Sequence, residues 1–171
     1  MKKLLFIPLV LSLVSCSVAP TDLPVVQNFQ LNKYLGTWYE IARLPNRFEK
    51  DLHKVTANYS LKSDGGVKVL NKGFNISSKE WEEAEGKAYF TSNENVAALK
   101  VSFFGPFYGG YNVIELDADN YQYALVAGPK REYLWILARD PNIDKSIVND
   151  LVSKAQSKGF PTNKLEFINH N

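Results

Sequence analysis

From residue 36 onward, apolar and polar positions alternate in short runs. In 53–61, Val55, Ala57, Tyr59 and Leu61 fall on one face and Lys54, Thr56, Asn58 and Ser60 on the other, as expected of a strand with one wet side. Further runs rich in β-branched and aromatic residues occupy 37–44, 67–74, 86–91, 96–104, 108–116, 122–127 and 133–139. Turn-forming residues separate them, among them Ser63-Asp64-Gly65-Gly66, Asn93-Glu94-Asn95, Asp117-Ala118-Asp119-Asn120 and Gly128-Pro129. Links this short join antiparallel neighbours, because parallel pairing needs a long crossover.

The period then changes. Ile143, Ile147, Val148, Leu151, Val152 and Ala155 recur at spacings of three and four, which predicts one amphipathic helix, with Asp140 or Asp144 at its start and Gly159 at its exit. A short closing strand is expected at 165–168. Eight antiparallel strands and one helix leave too many edges for an open sheet. The expected fold is all-β: an eight-stranded antiparallel up-and-down barrel with a C-terminal α-helix outside. Such a barrel holds either a side-chain core or one small ligand, and periodicity does not choose between them.

The N-terminus follows neither pattern. Met1-Lys2-Lys3 is a positive start, 4–14 is apolar, and Leu13-Val14-Ser15-Cys16 ends the run with small residues; this describes a secretory signal, too short to span a membrane. Leu-Val-Ser-Cys resembles the lipobox of bacterial lipoproteins, in which the cysteine is lipidated and becomes the first residue. The expected division is a signal peptide at 1–15, a lipidated N-terminus and flexible tether at 16–30 with Pro20 and Pro24, and a folded domain at 31–171. Ser17, where an aspartate would suggest inner-membrane retention, implies by that resemblance the outer membrane, at its periplasmic face. Fully extended, the tether from Ser17 to Gln30 reaches about 45 Å. Because the first strand starts at the barrel floor, the anchor is expected nearer the closed end than the mouth.

Charge narrows the partners. The chain has 20 basic and 18 acidic side chains; Lys2 and Lys3 lie in the leader, so the mature part balances at 18 of each. No electrostatic footprint for nucleic acid results. Cys16 is the only cysteine, so its lipidation leaves no thiol for disulfides or thiolate metal sites. No cofactor is expected. The only histidines are His53 and His170, and no HExxH, Walker loop or serine elbow appears. Glu40, on the Trp38 face, lacks an identifiable catalytic partner, so an enzyme is not expected.

Gly36-Thr37-Trp38-Tyr39 with Glu40-Ile41-Ala42 resembles the first signature of the lipocalins, placed at the first barrel strand, and Arg139 matches that family's arginine at the end of the eighth. Segments 100–113 and 133–139 look like the bacterial, apolipoprotein D-like branch, and the resemblance covers about 31–168. The second family motif is replaced by Tyr111-Asn112-Val113, so its acidic contact is not carried over.

Strand parity assigns the two ends. In an up-and-down barrel the first strand starts and the eighth finishes at the same end, so Gly36, Trp38 and Arg139 form a floor, with the guanidinium over aromatic surface. Links one, three, five and seven form the mouth, to which Phe48, Trp81, Phe103, Phe104, Phe107 and Tyr108 are assigned as an apolar rim. Arg43, Arg47, Lys50 and Arg131 are candidate charges there. Leu44, Val55, Ala57, Tyr59 and Ala88 are candidate cavity residues, as are Phe90, Leu99, Val101 and Ile114, with Asn112 as a polar contact. The resemblance implies a fatty acid or lysophospholipid as ligand, bound, stored or transported, and the partner list extends to a second copy in a homodimer. The alternative is a filled-barrel envelope protein that binds another protein through its aromatic loops.

Overall fold

The computed structural model describes residues 22–171. The predicted Cys16 lipidation site and the leader lie outside the described residues. A short helix α1 (Leu31–Tyr34) comes first, with Tyr34 packed on Trp38. Eight antiparallel strands follow: β1 (Gly36–Arg43), β2 (Leu52–Leu61), β3 (Val67–Asn75), β4 (Glu80–Phe90), β5 (Ala98–Phe104), β6 (Phe107–Leu116), β7 (Tyr123–Ala127) and β8 (Leu134–Ala138). Each pairs with the next, and β1 pairs with both β8 and β2, which closes the barrel. Helix α2 (Lys145–Ser157) packs outside; Asp144 caps it by accepting from the Ser146 amide at 2.7 Å. Gly159, at φ +82°, provides the left-handed exit.

Alternation sorts the apolar side chains into two bodies. Inside lie Trp38, Tyr59, Val67, Val69, Ala88 and Leu99, joined by Val113, Val126 and Leu137. Outside, Ile41, Ala42, Leu125 and Ile136 pack beneath Val148, Leu151 and Ala155 of α2. This second body corrects the cavity set. Leu44 and Ile114 belong to the packing under the helix, and Asn112 pairs in register with Ala127 of that same body, donating to its carbonyl at 3.3 Å. A strand covered by a helix is apolar on both faces, so apolar identity alone could not locate the lumen side.

Strand β4 begins at Glu80, six residues before the expected start. Its acidic first half pairs with β3 as a projecting ribbon, with cross-strand ion pairs Lys68–Glu85 at 2.9 Å and Lys72–Glu83 at 3.1 Å. Both faces of such a ribbon are wet, so no apolar alternation marks it.

The C-terminus completes the wall. β2 pairs with β1 only over Gly36–Tyr39; above that, β9 (Glu166–Phe167) takes the edge of β1, with Ala42 opposite Phe167 and Arg43 opposite Glu166. The Ile168 amide donates to the Ile41 carbonyl, and the Lys54 amide to the Asn169 carbonyl. The last residues thus fill a gap between β1 and β2. His53 is used here: its Nδ1 accepts from the Asn169 amide at 3.3 Å.

Residues 22–30, expected within the flexible tether, are docked on the barrel. The Val26 amide donates to the Val113 carbonyl, Gln27 bridges Val96, the Phe29 amide donates to the Asn95 carbonyl, and Leu23 and Phe29 are buried. Asp22 pairs with Arg131 at 2.7 and 3.1 Å, while Arg131 Nε donates to the Lys158 carbonyl at 2.7 Å. Arg131 lies in the β7–β8 link, which topology puts at the mouth. The docked segment therefore starts at the open end and descends to the floor. These residues are therefore not a free tether: Leu23, Val26 and Phe29 find apolar and backbone partners on the folded barrel.

Candidate functional site

The closed end is a stack of aromatic rings. Trp38 is completely buried, and its Nε1 donates to the Tyr34 carbonyl at 2.8 Å. The Arg139 guanidinium lies 4.0 Å from the Trp38 ring centroid and donates to the carbonyls of Lys33, Leu35 and Thr37, each at 2.8 Å. Five donors in a planar fork suit this combination of stacking and multiple carbonyl contacts. Gly36, at φ +93°, makes the turn into β1 directly beside Arg139. The structure brings all three floor residues together.

Above the floor, Tyr111 joins the hydroxyls of Tyr34 (2.7 Å) and Tyr59 (2.8 Å). Burial pushes all three phenols above their ordinary value, so the triad stays neutral. Alternation along the chain does not reveal the Tyr34–Tyr111 link, because it carries no record of which hydroxyls from distant segments meet.

The inner wall of the barrel has two characters. Across β4 and β5, Ala88 opposes Val101 and Phe90 opposes Leu99, and these residues belong to or pack on the inner body with Ala57 and Phe103. Ala57, Phe90, Val101 and Phe103 retain partial exposure. Across β1 and β8 the wall is polar. A bulge between Glu40 and Ala42 leaves Ile41 facing out, so Glu40 and Arg43 both lie on the inner side of β1.

Arg43, assigned from sequence to the mouth as a ligand charge, is buried and engaged. Its Nη1 contacts Glu40 Oε1 at 2.8 Å, its Nη2 donates to the carbonyls of Glu49 (2.6 Å) and Leu52 (3.2 Å), and its Nε faces Glu166 at 3.4 Å. Glu49 Oε2 accepts from Trp135 Nε1 at 2.9 Å and Asn46 Nδ2 at 2.6 Å. Burial raises the Glu40 pKa well above the ordinary carboxylate range and the nearby Glu49 carboxylate adds to it, while Arg43 opposes both. One network thus ties β1, β8 and the first mouth loop. Glu49 and Trp135 enter the site only because the bulge turns Arg43 inward, where it meets the loop and, through Glu49, β8.

At the rim, Phe48, Phe104 and Phe107 are exposed at 61%, 76% and 79%. Arg47 stacks on Phe48 at 4.8 Å, in a loop whose cleft also includes Lys50, and Lys100 lies 5.1 Å from the Tyr108 ring. Besides Arg43, three rim assignments change: Phe103 packs on the inner body, and Trp81 and Arg131 also leave the rim. Trp81 pairs with Phe74 (5.6 Å) and Lys72 (5.2 Å) on the outer side of the β3–β4 ribbon, because it alternates with the inward Gly86 and Ala88. Arg131 serves the N-terminal strap and cannot also act as a free mouth charge.

Comparison with known proteins places this architecture. The family model described as a lipocalin-like domain matches residues 29–170. The chain is 55% identical over 157 residues to the outer membrane lipoprotein Blc of Citrobacter freundii, covering 91% of this chain and 88% of the relative. It is 37% identical to apolipoprotein D of Cavia porcellus, over 83% of this chain and 77% of the relative. Among solved structures, insecticyanin from the tobacco hornworm Manduca sexta superposes with a TM-score of 0.71 at 21% identity, covering 90% and 86% of the two chains. With a closed barrel, an outer helix and a Trp38–Arg139 floor, this chain belongs to the lipocalin family.

Proposed function

We propose that the chain is a lipid-anchored outer-membrane protein that binds, stores or transports a monoacyl lipid, a fatty acid or lysophospholipid, in the barrel interior. The location is supported by relatives named as outer membrane lipoproteins, and Cys16 supplies the lipidation residue. The carrying observation is the unequal inner wall: Val101 and Phe103, on the mouth side of Tyr111 along β5, are partly exposed apolar residues packed on the inner body, above a floor sealed by the fully buried Trp38. Burying an acyl chain against them contributes about 0.8 kcal/mol per methylene. The tyrosine triad limits chain depth, and the Arg43–Trp135 side provides polarity for the headgroup.

Calorimetric titration of delipidated protein with monoacyl lipids tests the reading, with saturable binding expected below about 100 μM. Val101→Trp separates a hollow lumen from a filled one. A hollow lumen accepts the indole with unchanged stability and loses at least about tenfold in affinity; a filled lumen is overpacked and loses about 1–3 kcal/mol. The second result, together with no saturable binding, would favour the protein-binding alternative.

A further inference from the structure

The interior ligand leaves one built feature of the outer wall unused. A groove of about 330 Å³ is lined by Lys62, Lys68, Lys87, Glu85, Ser102 and Gly105, together with Gly86 and Phe103. Of its three ammonium groups, two are matched by carboxylates and that of Lys87 is not. Lys62 is held by Asp64 and the Tyr89 hydroxyl (2.8 and 2.9 Å), and Lys68 by Glu85. Among the described residues no ion pair involves Lys87. Ser102, directly opposite Lys87 in the β4–β5 register, is 3% exposed, and its Oγ has no hydrogen-bond partner among the described residues. A buried hydroxyl left unpaired costs about 1–3 kcal/mol, so an oxygen-rich anion is the complementary occupant.

The groove runs into the β5–β6 hairpin. Gly105 lines it, and Phe104 and Phe107, the most exposed aromatics among the described residues, flank that turn. An apolar tip beside a cationic shelf fits the boundary between acyl chains and headgroups. The N-terminal strap agrees in direction. Asp22 is pinned to Arg131 at the mouth end, and the six residues back to Cys16 span at most about 20 Å.

We infer that the β5–β6 hairpin is a membrane-docking edge whose Phe104 and Phe107 enter the bilayer while a phospholipid headgroup phosphate occupies the Lys62/Lys68/Lys87/Ser102 groove. This rests on the membrane location proposed above, and its test is separate from interior ligand binding. Hydrogen exchange of the full-length lipoprotein is compared in nanodiscs of phosphatidylglycerol and of a phosphate-free glycosyldiacylglycerol. Amides across 103–108 are expected to exchange at least about fivefold more slowly in the phosphate-bearing discs. Lys87→Gln with Ser102→Ala removes that protection and leaves monoacyl-lipid affinity unchanged, whereas Lys87→Arg retains both. Equal protection in the two discs, or protection that survives the double substitution, overturns the docking edge. Protection produced by millimolar inorganic phosphate without discs also overturns it, since the groove is then a free-anion site. Intact protection with no monoacyl-lipid binding would retain the edge and reject only the interior-ligand reading.

Discussion

The two ends of the barrel use arginine in different ways. At the floor, Arg139 stacks on Trp38 and satisfies three backbone carbonyls, without a carboxylate partner in that set. At the open half, Arg43 is sealed inside with Glu40 and holds the first mouth loop through the Glu49 and Leu52 carbonyls. The floor guanidinium keeps its charge beside π surface and peptide dipoles, so that end needs no titrating group. The Arg43 end depends on a carboxyl whose own burial opposes its ionisation. A sealed end is therefore built from neutral partners, while the open end carries a network sensitive to proton binding.

The largest expected effect is at the floor. Trp38→Ala removes the completely buried indole, its hydrogen bond and the Arg139 platform, and chemical denaturation should show a loss of about 3–5 kcal/mol. Arg43→Met comes next. Breaking a buried pair by removing one partner typically costs about 3–5 kcal/mol, with the lower end expected here because Glu40 can take up a proton. The pH dependence gives this prediction its sign. The folded Glu40 pKa is raised, so its contribution is fully present below the ordinary value of 4.5 and is lost as pH rises through the folded pKa. Without Arg43 the opposing influence disappears, and the cost of Arg43→Met should grow from pH 4 to pH 8. Glu40→Gln should flatten the decline seen in the parent; an unchanged slope would separate Glu40 from the response.

Tyr111→Phe takes away the hydroxyl shared by Tyr34 and Tyr59. Two buried phenols then lose a partner, and the expected loss is about 1–3 kcal/mol by thermal or urea unfolding. The smallest effect belongs to the rim: Phe107→Ser should change stability by less than about 0.5 kcal/mol. If it destabilised the protein as much as Tyr111→Phe, the open end would be structural in the same sense as the floor.

Much of this contrast is visible along the chain. Val55, Ala57 and Tyr59 alternate with Lys54, Thr56 and Asn58, which is enough to assign β2 one wet face. Parity alone brings Trp38 and Arg139 to the same end. The candidate site was less legible. Leu44 and Ile114 are as apolar as lumen residues, yet they serve the helix interface. Arg43 looks like a solvated loop cation until the bulge after Glu40 turns it inward. Arg131 looks like another, but its partners Asp22 and Lys158 lie far from it in sequence. Pro20 and Pro24 suggest a tether, whereas the burial of Leu23 and Phe29 depends on surfaces contributed by the folded barrel.

By itself, the sequence determined the strand number, the antiparallel order, the single outer helix and the aromatic floor. Each follows from local periodicity, turn chemistry or a contiguous motif, and each survives small errors in boundary. Tertiary structure alone decided which apolar faces line the lumen, that Glu40 and Arg43 share it, and that residues 22–30 run from the mouth to the floor. These depend on one extra residue in β1 and on contacts between distant segments. A one-residue bulge exchanges the faces of everything beyond it, and no local pattern records which distant surface will receive an N-terminal segment.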